Sequence, residues 1–174
     1  MILFWKKVAA ENNIDLQNII GVDPSVGMME VGKKKLPDVE FIEAGAASMP
    51  LEDSSADIIS ISYGIRNVVQ RQEAFHEFAR VLKKDGLVVI NEFTKNKKEK
   101  PLDYVTDFYM NKILPVLGGL ISNNKEAYTY LPNSIDEFLT TENLCKELKN
   151  AGLEPIHVKA FSMNISTLII ARKI

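Results

Sequence analysis

Apolar positions along the chain fall into two alternating rhythms. Leu3, Phe4 and Val8, with Trp5 beside them, recur at helical spacing, and the pattern runs out at Glu11-Asn12-Asn13. No capping residue precedes this first helix, so the chain opens as if an element were already under way. Ile19-Ile20-Gly21-Val22-Asp23 is a short apolar run without polar alternation, as expected of a strand buried on both faces. Pro24-Ser25 then opens a helix reaching about Lys35, with Asp23 or Ser25 as its cap. Its last turn holds Lys33, Lys34 and Lys35, where the macrodipole favours cations. Glu40 to Ala44 predicts a second strand and Gly45 to Asp57 a loop, with turn chemistry at Met49-Pro50 and Asp53-Ser54-Ser55. Ile58 to Tyr63 predicts a third strand, and Gln72 to Lys84 a helix with Phe75, Phe78, Ala79 and Leu82 on one face. After a turn at Asp85-Gly86, Leu87 to Phe93 is the most strand-like run in the chain.

Strands separated by helix-length segments imply crossover connections and a mostly parallel sheet. The rhythm changes after residue 94. Lys95 to Lys100 is a charge run, expected to be a solvated loop. Leu102, Val105, Tyr109, Ile113, Val116 and Leu120 mark one stripe of a long helix, ended or kinked by Pro115 and Gly118-Gly119. Tyr128-Thr129-Tyr130-Leu131 precedes Pro132, and Ser134-Ile135-Asp136-Glu137 has capping-box spacing, predicting a helix to about Ala151 closed by Gly152. Glu154 to Phe161 and Ser166 to Ala171 complete the pattern as two strands. So short a connection makes that pair antiparallel, because a parallel crossover needs about a dozen residues. The fold class is α/β in one domain, residues 1–174, without a linker or repeat.

Composition narrows the function classes. The 174 residues are 46% hydrophobic and 25% charged, with a net charge of −2. That balance lacks the electrostatic attraction on which a nucleic-acid binder relies. Cys145 is the single cysteine, so no internal disulfide forms and a reducing compartment is expected. The longest apolar run, Ile113 to Ile121, is broken by Pro115, Gly118 and Gly119, and falls far short of a membrane span of roughly 20 residues.

Ligands of open α/β sheets sit beyond the carboxyl ends of the strands. Asp23 ends the first strand, where an acid either binds a cofactor ribose or caps the next helix. Gly45-Ala46 ends the second, where small residues admit a flat ring or simply begin a loop. Ser62-Tyr63-Gly64-Ile65-Arg66-Asn67 ends the third, and so many polar or special residues at the end of a buried strand point to function. Gly64 is the residue expected to supply an unusual backbone conformation there. His76 and His157 stand alone on separate elements, Cys145 reads as a small core residue, and no clustered His/Cys set suggests a metal. There is no glycine-rich phosphate loop of Walker or dinucleotide type.

Gly21-Val22-Asp23-Pro24-Ser25, Gly45 to Leu51, Ile61 to Val68 and Arg80 to Gly86 resemble successive motifs of the class I S-adenosylmethionine methyltransferases. Ser62 to Val68, Asn91-Glu92-Phe93-Thr94, and Ile113-Leu114-Pro115 through Tyr128-Thr129-Tyr130-Leu131 and Ser134-Ile135 further resemble the C-methyltransferases of ubiquinone and menaquinone biosynthesis. The resemblance runs from residue 1 to about residue 160, and the Gly-Ile-Arg-Asn and Tyr-x-Tyr-Leu segments are its specific parts. It implies a Rossmann-like sheet, mostly parallel with an antiparallel C-terminal pair, and C-methylation of a demethylated quinol with S-adenosylmethionine as cofactor. It further implies that Asp23 binds the ribose, that Gly45 and Ala46 border the adenine, and that Ser62 touches the cofactor. Arg66 and Asn67 then face the quinol as catalytic residues, with Arg66 stabilising the developing phenolate and Asn67 aligning it. Tyr63, Tyr109, Tyr128 and Tyr130 line the acceptor side, and residues 95–133 form a lid over an isoprenoid tail. A cytoplasmic protein follows, with a place at the inner face of the membrane and self-association both left open.

Members of that family carry a strand and a glycine-rich loop before the position of Met1. The comparison implies that the first, central strand is missing and that the 174-residue chain binds S-adenosylmethionine weakly or not at all. Where Gly45 stands the family usually has Asp or Asn, and a His-Gly feature near the end is replaced by Ile169-Ile170-Ala171. Two other readings stay open: a methyltransferase for another small hydrophobic acceptor, and a cofactor-free, non-catalytic oligomeric partner.

Overall fold

A computed structural model describes residues 1–95, 125–161 and 165–174, with the side chains of 125–129 outside that description. The predicted stripe from Leu102 to Leu120, including Tyr109, therefore lies outside the described residues. The chain divides into two compact units, Met1–Glu52 and Asp53–Ile174.

In the first unit, α1 (Ile2–Glu11) leads to β1 (Ile20–Asp23), α2 (Val26–Lys35) and β2 (Glu40–Glu43). The two strands pair in parallel, from Ile20 opposite Glu40 to Asp23 opposite Glu43. The packed face of α1 is rotated from the one the sequence suggested: Leu3 and Phe4 are 62% and 65% exposed, whereas Ala9 is buried. Glycine explains the difference. A Cβ built on Gly21 would lie 2.7 Å from the Phe41 ring and 3.6 Å from Ile2 Cδ1, and one on Gly32 would also lie 2.7 Å from that ring. Two missing side chains thus make the notch that Phe41 fills, and Ile2 packs at its edge. Ser25 is the N-cap of α2, its Oγ accepting from Met28 N–H at 3.4 Å.

The second unit holds β3 (Ala56–Ser62), a 3-10 turn (Ile65–Asn67), α3 (Arg71–Val81), β4 (Leu82–Phe93), α4 (Lys125–Glu137), α5 (Thr141–Asn150), β5 (Leu153–Phe161) and β6 (Ser166–Lys173). Its sheet has the order β3-β4-β6-β5. β3 and β4 are parallel, and β6 runs antiparallel to both neighbours. The C-terminal pair is antiparallel, as its short connection requires. Ala74, Phe75, Phe78 and Val81 of α3 form a core with Val88 and Ile90 of β4, Leu144 and Leu148 of α5, and Ile169 and Ala171 of β6. Arg71 ties α3 to α5 through a bidentate pair with Glu147, at 2.7 and 3.0 Å, while its guanidinium lies 5.3 Å from the Phe138 ring centroid.

Two boundaries differ from the sequence pattern. α3 stops at Val81, and the Asp85-Gly86 turn is absorbed into β4 as a bulge. Ala56 is opposite Leu82 and Ile58 opposite Leu87, so residues 83–86 are accommodated opposite Asp57. Asp85 takes a φ of 63°, and a Cβ on Gly86 would press to 2.9 Å from Lys83 O. Ser134 does not start a helix. It lies inside α4, its Oγ donating to Leu131 O at 2.8 Å, and Thr140 instead caps α5 by accepting from Asn143 N–H at 3.4 Å. The Ser-x-x-Glu spacing was satisfied in sequence, but the hydroxyl bonds back along its own helix. Gly152 closes α5 region at φ 79°, as expected of a residue following a helix end.

Candidate functional site

The first unit brings two of the expected positions to the carboxyl ends of its parallel strands. Asp23 is the last residue of β1, and its Oδ1 accepts from Ser25 N–H at 2.8 Å. That bond fixes the carboxylate, while Oδ2 has no hydrogen bond to a described residue. Capping and ligand binding are therefore compatible: Ser25 caps, and Asp23 is held in place by the same turn. Beyond β2, Gly45 O accepts from Ser48 N–H at 3.1 Å, closing a turn. A Cβ on Gly45 would meet nothing within 4 Å. The space over the turn, which includes the half-buried Ala46, is open on that side.

In the second unit the ends of β3 and β4 carry a connected polar and aromatic cluster. Ser62 ends β3, opposite Asn91. Tyr63 follows at φ 54°, a left-handed conformation that costs a bulky residue about 1–2 kcal/mol. Gly64, the residue expected to need unusual geometry, has a φ of −120° open to any side chain. The strain sits one residue earlier because Tyr63 is held from several sides. Its N–H donates to Asn91 O at 2.8 Å, its hydroxyl lies 3.4 Å from Ser166 Oγ, and its ring is 4.5 Å from that of Phe93.

Arg66 lies in the 3-10 turn, its side chain only 8% exposed. Its Nη1 pairs with Glu92 Oε1, which is fully buried, and also donates to Tyr63 O at 3.4 Å. Its Nε donates to Ser134 Oγ at 3.3 Å, and its Cζ lies 5.5 Å from the Phe93 centroid. Among the described residues Nη2 has no partner. Among the described residues Asn67 makes no hydrogen bond to the guanidinium; its Oδ1 accepts from the Tyr130 hydroxyl at 2.9 Å. Tyr63, Arg66, Asn67 and Tyr130 are thus brought together. Tyr128 lies in α4 with its side chain outside the description, and Tyr109 lies outside the described residues altogether.

The members missed in sequence are Glu92, Phe93 and Ser134. A signal existed for Glu92: a carboxylate next to Ile90 and Phe93 in a buried strand must find a cationic or multiple N–H partner. No group of three His, Cys, Asp or Glu side chains among the described residues could hold a metal. No described helix is long and apolar enough to cross a membrane.

The architecture is that of the Rossmann-like methyltransferases. A SAM-dependent methyltransferase from Thermotoga maritima superposes with a TM-score of 0.59 over 95% of this chain and 76% of its own, at 22% identity. Sequence carries the assignment further than fold. Residues 4–173 match the ubiE/COQ5 methyltransferase family, and the chain belongs to it. It is 55% identical to the ubiquinone/menaquinone biosynthesis C-methyltransferase UbiE of Campylobacter jejuni, across all of this chain and 74% of that protein. The demethylmenaquinone methyltransferase of Chlorobaculum tepidum is 35% identical over 89% of this chain and 64% of its own length.

Proposed function

We propose that the chain transfers a methyl group from S-adenosylmethionine to a ring carbon of a demethylated quinol. The supporting observation is the buried guanidinium of Arg66 beside the Tyr63–Phe93 ring pair, in a chain whose relatives are named for quinone-pathway C-methylation. Aromatic faces suit a flat ring, and a fixed cation suits the oxygen on which charge develops.

Against the weak cofactor binding expected from the sequence comparison, the cofactor residues that are present fit on their own chemistry. Asp23 offers a carboxylate oxygen without a described partner to ribose hydroxyls, and the turn at Gly45-Ala46 is open on the side where adenine would lie. Ser62 is the proposed contact from the end of β3. When bound, S-adenosylmethionine supplies an electrophilic methyl group on a sulfonium. The chain's own residues act on the other partner. A ring carbon becomes a usable nucleophile as the neighbouring hydroxyl loses its proton to water, and Arg66 lowers the cost of that loss through Nη2. The ring carbon then gains the methyl group and later sheds its hydrogen as a proton, so one C–H becomes one C–CH3. Tyr63 and Phe93 orient the ring and exclude water from it. Asn67 and Tyr130, bonded to each other, flank the same site.

Methyl-labelled S-adenosylmethionine, offered with demethylmenaquinol or with a soluble phenol, tests this. Label in the extractable quinone fraction, absent with the phenol and reduced at least a hundredfold in Arg66→Ala, is the expected outcome. Label on the phenol alone favours the small-acceptor reading, and equal turnover by Arg66→Ala refutes the role given to Arg66.

A further inference from the structure

We infer that Glu92 is the positioning residue of the acceptor site, setting both the backbone and the guanidinium of Arg66; this rests on the proposed role of Arg66. One carboxylate, fully buried, takes three N–H donors. Oε2 accepts from Arg66 N–H at 3.3 Å, and Oε1 accepts from Arg66 Nη1 and from Phe93 N–H, the latter at 2.8 Å. The same group therefore fixes the middle of the 3-10 turn, the direction of the charged side chain and the strand residue whose ring lies under that guanidinium.

The chemistry of the group matters as much as its place. A carboxylate accepts at both oxygens and carries the countercharge that a buried guanidinium needs. Glutamine at this position keeps the shape but has a single acceptor oxygen, and its NH2 would face an N–H donor. With the pair intact, Nη1 is committed to Glu92 and Nη2 is left as the nitrogen that serves the acceptor oxygen. Without Glu92, the guanidinium has Ser134 Oγ and Tyr63 O as its remaining described partners, at 3.3 and 3.4 Å, and neither carries charge. The pairing with Arg66 also accounts for burying a glutamate in the strand at all, since Ile90 and Val88 on the same face are apolar and fully buried.

The test uses the whole chain carrying Glu92→Gln, Arg66→Ala or both, with Glu92→Asp as the variant that keeps the charge. Methylation of demethylmenaquinol is measured together with hydrogen exchange of the Arg66 amide, referred to that of Ile90. A residue acting through Arg66 gives a kcat at least tenfold lower in Glu92→Gln with the KM for S-adenosylmethionine within twofold. Glu92→Asp recovers part of that loss, and the double variant is no slower than Arg66→Ala alone. Losses that multiply in the double variant, or Arg66 amide protection unchanged in Glu92→Gln, overturn the inference. If Glu92→Gln does not fold, Glu92→Asp decides: a lower kcat with the KM for S-adenosylmethionine within twofold and a loss of Arg66 amide protection support the inference, and kcat and protection both unchanged overturn it. If the parent chain methylates no quinol, the proposed function fails, and amide exchange alone decides whether Glu92 places Arg66: a tenfold loss of protection supports it and no loss refutes it.

Discussion

Replacing Tyr63 by alanine and by glycine separates the cost of its backbone from the value of its side chain. Tyr63 is 42% exposed. A tyrosine of roughly 200 Å² with that exposure withdraws about 115 Å² from water, worth about 3 kcal/mol at ~25 cal/mol per Å². Both variants lose this contact, together with the Ser166 bond. Alanine still carries the left-handed penalty of about 1–2 kcal/mol at φ 54°, whereas glycine does not. Glycine in turn loses about 0.5–1 kcal/mol of chain entropy relative to alanine. Tyr63→Ala is therefore expected to cost about 3 kcal/mol and Tyr63→Gly about 0.5–1 kcal/mol less, an inversion of the usual order of the two residues in a strand. Urea unfolding reads this directly: with a slope of about 2 kcal/mol per M, the glycine midpoint lies roughly 0.3–0.5 M above that of alanine. An alanine variant as stable as the glycine variant, or more so, refutes the claim that Tyr63 is held in a strained conformation.

Other sites make separate predictions. Gly21→Ala places a methyl 2.7 Å from the Phe41 ring and is expected to cost about 1–3 kcal/mol in thermal unfolding; adding Phe41→Leu should recover part of it. Arg71→Lys removes the two-pronged pairing with Glu147 and the contact over Phe138, so it should lower stability by about 1 kcal/mol, read by urea unfolding. Burial raises the Cys145 thiol above its ordinary range, with Lys149 lowering it and Glu154 raising it. A raised thiol pKa means less thiolate at a given pH, so alkylation by iodoacetamide should be slower than in a free cysteine peptide, and its pH–rate midpoint should lie higher.

Much of the fold was legible because burial and periodicity agreed. The runs predicted at Ile19–Asp23, Ile58–Tyr63 and Leu87–Phe93 fall on β1, β3 and β4, with Tyr63 one residue beyond the end of β3. Position within an element was harder. On α1 the sequence shows several apolar residues, and only the notch left by Gly21 and Gly32 decides which of them packs. Ser134 carries a capping signature, but whether a hydroxyl caps or bonds back to its own helix depends on where that helix begins. The site was legible as a segment, Ser62 to Asn67, and not as a network. Arg66 was visible as a charge at a strand end. Its real partner, Glu92, is 26 residues away, and only the parallel register of β3 and β4 brings the two together. Gly64 drew attention as the flexible residue, yet the unusual φ falls on Tyr63, where tertiary contacts override the local preference.

The place of β6 between β4 and β5 has a consequence for the order in which the second unit can be built. Ser166–Lys173 is synthesised after every other described strand, yet it occupies an interior position, with Ile169 and Ala171 fully buried. Until those residues have left the ribosome, β4 lacks its partner on that side and β5 has no neighbour at all. The nascent chain must therefore carry an open edge on β4 from the emergence of Phe93 to that of Lys173, and the eight residues of β6 are the ones that close it.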